Sequence, residues 1–120
     1  SGERLWHIFN HWMRPENRDG EGECYQVNAG IQATYSESKR QLLSLWVDGK
    51  PVDPGRLYTL GLQGFHANNS QANLDVAMDE LQEAGRSRVV ATNVQDLLLE
   101  YLREHQNARG DLEGRLVYQP

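Results

Sequence analysis

Cysteine is nearly absent from this chain. Of 120 residues only Cys24 carries a thiol, so no internal disulfide can form and cysteine usage leaves the redox compartment open. Basic residues are outnumbered, 12 Lys and Arg against 17 Asp and Glu, for a formal net charge of −5. No Lys/Arg cluster stands out. A surface that grips a phosphate backbone needs the opposite sign, so nucleic acid is excluded as an expected partner. No apolar run approaches the ~20 residues that cross a bilayer, and the N-terminal residues do not read as a signal peptide. A Gly-rich phosphate loop and a Gly-x-Ser-x-Gly elbow are both missing, and Cys24 has no evident base partner in sequence. What remains is a chain of ordinary charge and modest apolar content, long enough for a single core.

The pattern that is present reads as one α+β domain over residues 1–120, with mixed or antiparallel strands and about three helices. Glu3–Met13 is amphipathic, with Ser1 or Gly2 at its cap, Leu5, Ile8, Phe9, Trp12 and Met13 as its buried stripe, and His7, Asn10, His11 and Arg14 on the other side. Pro15–Glu23 is a polar loop. Cys24–Val27 and Ile31–Tyr35 read as strand pieces broken at Asn28-Ala29-Gly30, where a bulge or tight bend is expected. Leu42–Val47 is the next strand, with Leu42 and Trp46 expected on one face. Asp48-Gly49 supplies the positive φ angles of a two-residue hairpin turn. Pro54-Gly55 then turns the chain into an expected central strand, Leu57–Leu62. A helix is predicted over Leu74–Ala84 and capped by Gly85, then a short strand at Arg88–Ala91. A second strong helix follows from Thr92 or Asn93 to about Gln106, with Val94, Leu97, Leu98, Tyr101 and Leu102 turned inward. Arg115–Tyr118 closes the domain as a strand. Ser1-Gly2 runs straight into helical pattern, as if a segment upstream had been cut away.

Between the expected central strand and the helix after it lies the most suggestive stretch. Gly61 and Gly64 break the strand and deliver Phe65 into a loop of small polar residues, a place where α/β proteins often put a ligand. On local pattern alone the commoner role of such an aromatic is to plug the core beneath its loop. His7 and His11 have the spacing that can set two imidazoles on one metal, yet no third ligand stands nearby in sequence, so two solvated histidines are the expected outcome. Asp19, Glu21 and Glu23 alternate without completing a calcium loop and read as a solvated acidic turn.

The order of segments adds a resemblance. Ser1-Gly2-Glu3-Arg4-Leu5 is similar to the Thr/Ser-Gly-x-x-Leu helix start of one family, and Tyr25-Gln26-Val27 to its Leu-Gln-Val strand. Val47–Pro54 followed by Tyr58 is similar to its Gly-Lys-Pro-Leu-Asp-Pro…Tyr run. Gly64-Phe65-His66-Ala67-Asn68 resembles its Phe-Leu-Ala-Asn loop. Asp96-Leu97…Tyr101-Leu102 and Glu113-Gly114-Arg115-Leu116 resemble its closing helix and strand. That family is the 5'-nucleotidases, with UDP-sugar hydrolase and 2',3'-cyclic-nucleotide 2'-phosphodiesterase, and the likeness is to their C-terminal domain.

The resemblance implies a division of labour. A separate N-terminal metallophosphoesterase domain would carry a divalent metal pair and hydrolyse the phosphoester. This part would hold no cofactor, bind the nucleotide or other small phosphoester, and be inert alone. It also implies an extracytoplasmic location, whether periplasmic, secreted or at the cell surface. Phe65 falls on one of two base-stacking positions, and the other, with the phosphate-facing arginines, lies upstream of Ser1. The family's loop reads Ala-Asn-Gly-Gly-Asp-Gly-Tyr/Phe, its Asp accepting from the ribose hydroxyls. Here Ala67-Asn68-Asn69-Ser70-Gln71-Ala72-Asn73-Leu74-Asp75 stands in its place, so Asn68, Asn69, Gln71 and Asp75 join Phe65 as candidate substrate contacts. Gln71 is the aligned acceptor and Asp75 the alternative carboxylate. The competing expectation is a non-catalytic relative whose pocket has drifted and which serves as an interaction module.

Overall fold

The computed structural model describes residues 1–20 and 26–120, so Glu21, Gly22, Glu23, Cys24 and Tyr25 lie outside the described residues, and Gln26 and Val27, the described part of the strand expected over Cys24–Val27, join no strand. The first helix, α1, runs Gly2–Trp12, and Ser1 Oγ accepts from the Arg4 amide at 3.4 Å. Its entry is fastened from outside. The Gly2 amide donates to the Arg56 carbonyl at 2.8 Å and the Glu3 amide to the Pro54 carbonyl at 3.0 Å. Leu5, Ile8, Phe9, Trp12 and the following Met13 are all buried, as the apolar spacing requires. Pro15 does not open a loop: it starts a single helical turn, α2, Pro15–Arg18, because Pro pre-sets the φ of a first helical position.

The sheet has four strands, β1 Ile31–Ser36, β2 Gln41–Val47, β3 Lys50–Pro51 and β4 Leu116–Gln119, in the order β3-β2-β1-β4. β2 runs antiparallel to β1 and β3, while β4 lies parallel to β1, so the sheet is mixed and the fold is α+β. The expected bend at Asn28-Ala29-Gly30 is present, closed by the Ile31 amide on the Asn28 carbonyl at 3.1 Å. Asp48 and Gly49 take φ of 51° and 73°, the positive values that a tight hairpin turn demands. Ile31, Ala33 and Tyr35 of β1 face α1 with Leu42 and Leu45 of β2, and this is the core.

Leu42 and Trp46 do not share a face. Tyr35 pairs with Leu42 and Thr34 with Ser44, leaving Leu43 as an extra residue in β2. One inserted residue switches the side chains beyond it to the opposite face. Leu45 therefore turns inward, and Trp46 points out of the core.

The second half of the chain departs furthest from expectation. Leu57–Leu62 joins no strand of the sheet: the neighbouring β3 is only two residues long and leaves little edge to pair with. Of the helix expected over Leu74–Ala84 only a short one forms, Met78–Leu81, while two further short helices, α3 Gly64–Asn68 and α4 Ser70–Leu74, occupy the expected polar loop ahead of it, which makes Met78–Leu81 α5. Asp75, at φ 54° and ψ 36°, and the extended Ala77 break the run at the point where the sequence pattern reads as continuous. α5 ends at Gln82, so Gly85 is not its cap but closes a turn onto the Gln82 carbonyl. Arg88–Ala91 forms no strand.

The last helix, α6, Val94–Glu104, starts at Asn93, whose side chain accepts from the Gln95 amide at 2.9 Å. Its apolar face does not turn inward. Val94, Leu97, Leu98, Tyr101 and Leu102 are 45–62% exposed, and every residue from 83 to 114 is exposed. The periodicity specifies a helix and its face, and it says nothing of where the covering surface lies. In place of about three helices there are six among the described residues, of which only α1 and α6 exceed five residues. No helix is long and apolar enough to cross a membrane among the described residues.

Candidate functional site

The site is organised by Asp75, which ends α4 in the left-handed conformation. Leu74 and Val76 on either side of it are buried, and these two anchors hold the strained backbone in place. With both neighbours turned into the core, the Asp75 side chain is directed back across α1. Its Oδ2 lies 3.1 Å from His7 Nε2, and that same nitrogen is 3.2 Å from the Asp75 carbonyl. Gln71 Nε2 donates to Asp75 Oδ1 at 3.3 Å, an i,i+4 contact spanning α4. One turn along α1, His11 Nδ1 stands 3.9 Å from Asp75 Oδ2.

His7 and Asp75 remain about half exposed and open to solvent. His11 is only 16% exposed and is not the solvated side chain expected on α1's polar side. Asn10 is engaged as well, its Oδ1 accepting from the Leu42 amide at 2.7 Å. Among the described residues no group of three His, Cys, Asp or Glu is placed to hold a metal ion.

Burial pushes the His11 imidazole below its ordinary pKa, an effect only partly opposed by the Asp75 carboxylate and the Ala72 backbone, and reinforced by Arg14 and His7. In the unfolded chain the group titrates at about 6.5. Between the folded and unfolded values the proton binds the unfolded chain alone. This contribution to stability is therefore complete above the unfolded value and is lost as pH falls through that window. The urea midpoint should drop between about pH 7.5 and about pH 5.5 more in the wild type than in His11→Gln. Equal drops in the two proteins would remove His11 from the pH response.

Phe65 lies on α3, its side chain 60% exposed and edge-on to His66 at a centroid distance of 5.5 Å. It does not plug the core. The polar loop expected around it is largely helical, and this changes what the candidates can reach. Asn69 is committed locally: its amide and its Nδ2 both donate to the Phe65 carbonyl, at 3.0 and 2.9 Å, closing α3. Asn68 is exposed at the end of the same helix. Gln71 and Asp75 are brought together. Gln71, expected from the resemblance to be an acceptor, instead has its amide nitrogen turned to that carboxylate as a donor.

Sequence reading missed the histidines as part of this group. The i,i+4 spacing of His7 and His11 was the available signal, but their acidic partner lies 68 residues away from His7 and no local pattern could supply it. Compared with protein-family models, with curated proteins and with solved structures, the chain shows no match.

Proposed function

We propose that this chain is the substrate-binding part of a 5'-nucleotidase-like metallophosphoesterase, taking a nucleotide or a related small phosphoester at the Phe65–Asp75 face. The catalytic metal pair would belong to an N-terminal metallophosphoesterase domain, and this part would supply recognition. The observation that carries the reading is the exposure of Phe65, a large aromatic left uncovered on a short helix beside a polar, partly charged cluster. Stacking of a base on one aromatic face contributes roughly 1–3 kcal/mol. A carboxylate such as Asp75 is a charge-assisted acceptor for a pair of sugar hydroxyls. With a single aromatic face, binding by this chain alone should be weak.

Titration with AMP, followed by backbone amide NMR, tests this. Shifts should concentrate in residues 64–75 and disappear in Phe65→Ala, while that substitution changes unfolding free energy by less than about 1 kcal/mol because the ring is already exposed. Asp75→Asn should weaken AMP more than deoxy-AMP. Unaltered AMP shifts in Phe65→Ala would overturn the reading.

A second reading, an interaction module with a drifted pocket, is favoured by the uncovered apolar face of α6. It predicts no AMP response at all.

A further inference from the structure

A cavity of about 820 Å³ opens on the far side of α1's entry, between the sheet and the unpaired stretch that follows Arg56. Its size lies within the range of small-molecule sites, about 300–1,000 Å³. The floor is apolar and belongs to the core itself, where Leu5 and Phe9 of α1 meet Ile31 and Val47. The outer wall is Leu57 and Leu60, which are 62% and 38% exposed. Both come from the segment with strand-like sequence that finds no strand to join, so their apolar surface faces open space.

The charge at this cavity runs against the rest of the molecule. The chain carries a formal net charge of −5, yet Lys50 and Arg56 line the cavity against one carboxylate, Asp48. Neither cation makes an ion pair among the described residues. Arg56 is held over the Tyr58 ring, 5.4 Å from its centroid. Tyr58 is fixed in turn by its hydroxyl, which accepts from the Asp53 amide at 3.0 Å. The backbone of Arg56 is pinned to the first turn of α1 through Gly2. A guanidinium positioned in this way needs little reordering to receive an anion.

We propose that this cavity binds a small amphiphilic carboxylate, an aliphatic chain of about eight carbons whose head lies between Lys50 and Arg56. Two cations less one carboxylate leave a single positive charge, which matches a monoanionic head better than a dianionic phosphate. The alkyl body covers the Leu57 and Leu60 wall and rests on the floor of Leu5, Phe9, Ile31 and Val47. This site shares no residue with the Phe65–Asp75 face, so the two can be tested separately.

The probe is octanoate, titrated into the 120-residue chain by calorimetry and backbone amide NMR, with octylammonium as the opposite-charge control. Saturable one-to-one binding is expected, with shifts centred on residues 47–61. Lys50→Gln and Arg56→Gln should each weaken it about tenfold, the usual effect of losing one charge-assisted contact. Both side chains are exposed, so both variants should keep the wild-type amide spectrum. Phe65→Ala should leave octanoate affinity unchanged. The proposal is overturned if octanoate does not saturate, if octylammonium binds equally well, or if neither Gln variant weakens it. It is also overturned if the shifts centre on α6, which would mean nonspecific adsorption. None of these outcomes touches the AMP titration, and a failed AMP titration leaves the octanoate result standing.

Discussion

Leu45→Ala should lower the unfolding free energy by about 2–5 kcal/mol, while Leu98→Ala should lower it by less than about 1 kcal/mol. Both substitutions delete the same atoms from a leucine, so the contrast measures only the surroundings. Leu45 is 1% exposed, faces Ala33 across the sheet and belongs to the cluster beneath α1. Removing it leaves a cavity in a packed interior, and the lost transfer free energy and the cavity add. Leu98 is 55% exposed on a helix that covers nothing. Its truncation forfeits little burial, and alanine is the better helix former. Urea unfolding of the two variants decides the matter. Equal losses would mean that α6 packs against the core in solution and that its apolar face is covered.

Gly2→Ala should be the most damaging change of a single methyl group, at about 2–3 kcal/mol, while Gly30→Ala should cost less than about 1 kcal/mol. A Cβ on Gly2 would overlap the backbone carbonyl of Asp53 and come within 2.9 Å of Val52 Cγ1. Backbone cannot step aside as a side chain can. The chain's cheapest escape is to fray the first turn of α1, which gives up the bonds from Gly2 to Arg56, from Glu3 to Pro54 and from Arg4 to Ser1. Each is a net contribution of roughly 1 kcal/mol, and that sets the size of the effect. At Gly30 the obstacle is the Asp48 carboxylate, the end of an exposed side chain that rotates away. Hydrogen exchange separates the mechanisms: in Gly2→Ala the Leu5 amide, which donates to Ser1, should lose protection before the sheet does. Wild-type stability in Gly2→Ala would mean that α1 is not seated on the Pro54–Arg56 turn.

How far the site could be read from the chain depends on the distance over which each feature is set. Phe65 stands out in the chain because a glycine-flanked aromatic is a local signal, whereas Gln71 and Asp75 enter as candidates only through the family resemblance. The pairing of Gln71 with Asp75 follows from one turn of helix. His7 joins them across the fold, and nothing near His7 announces the carboxylate. The cavity was invisible for the same reason. Lys50 and Arg56 look like ordinary surface cations until the hairpin and the start of α1 place them around one opening.

By itself the sequence determined those elements whose causes lie within a few residues of them. These are α1 with its buried stripe and a cap at Ser1 or Gly2, the Asp48-Gly49 hairpin between β2 and β3, α6 with a cap at Thr92 or Asn93, and the closing strand β4. Capping, positive φ and helical spacing are short-range effects, so local residues are enough to specify them. Only the tertiary structure decided the Leu43 bulge that turns Trp46 outward, and the parallel pairing of β4 with β1. It alone decided that Leu57–Leu62 stays unpaired, that Asp75 breaks a run which reads as one helix, and that α6 keeps its apolar face in solvent. Each of these turns on whether a partner surface is present at the right place. Strand pairing and face burial depend on residues far away in the chain, and propensity yields wherever packing contradicts it or provides nothing to pack against.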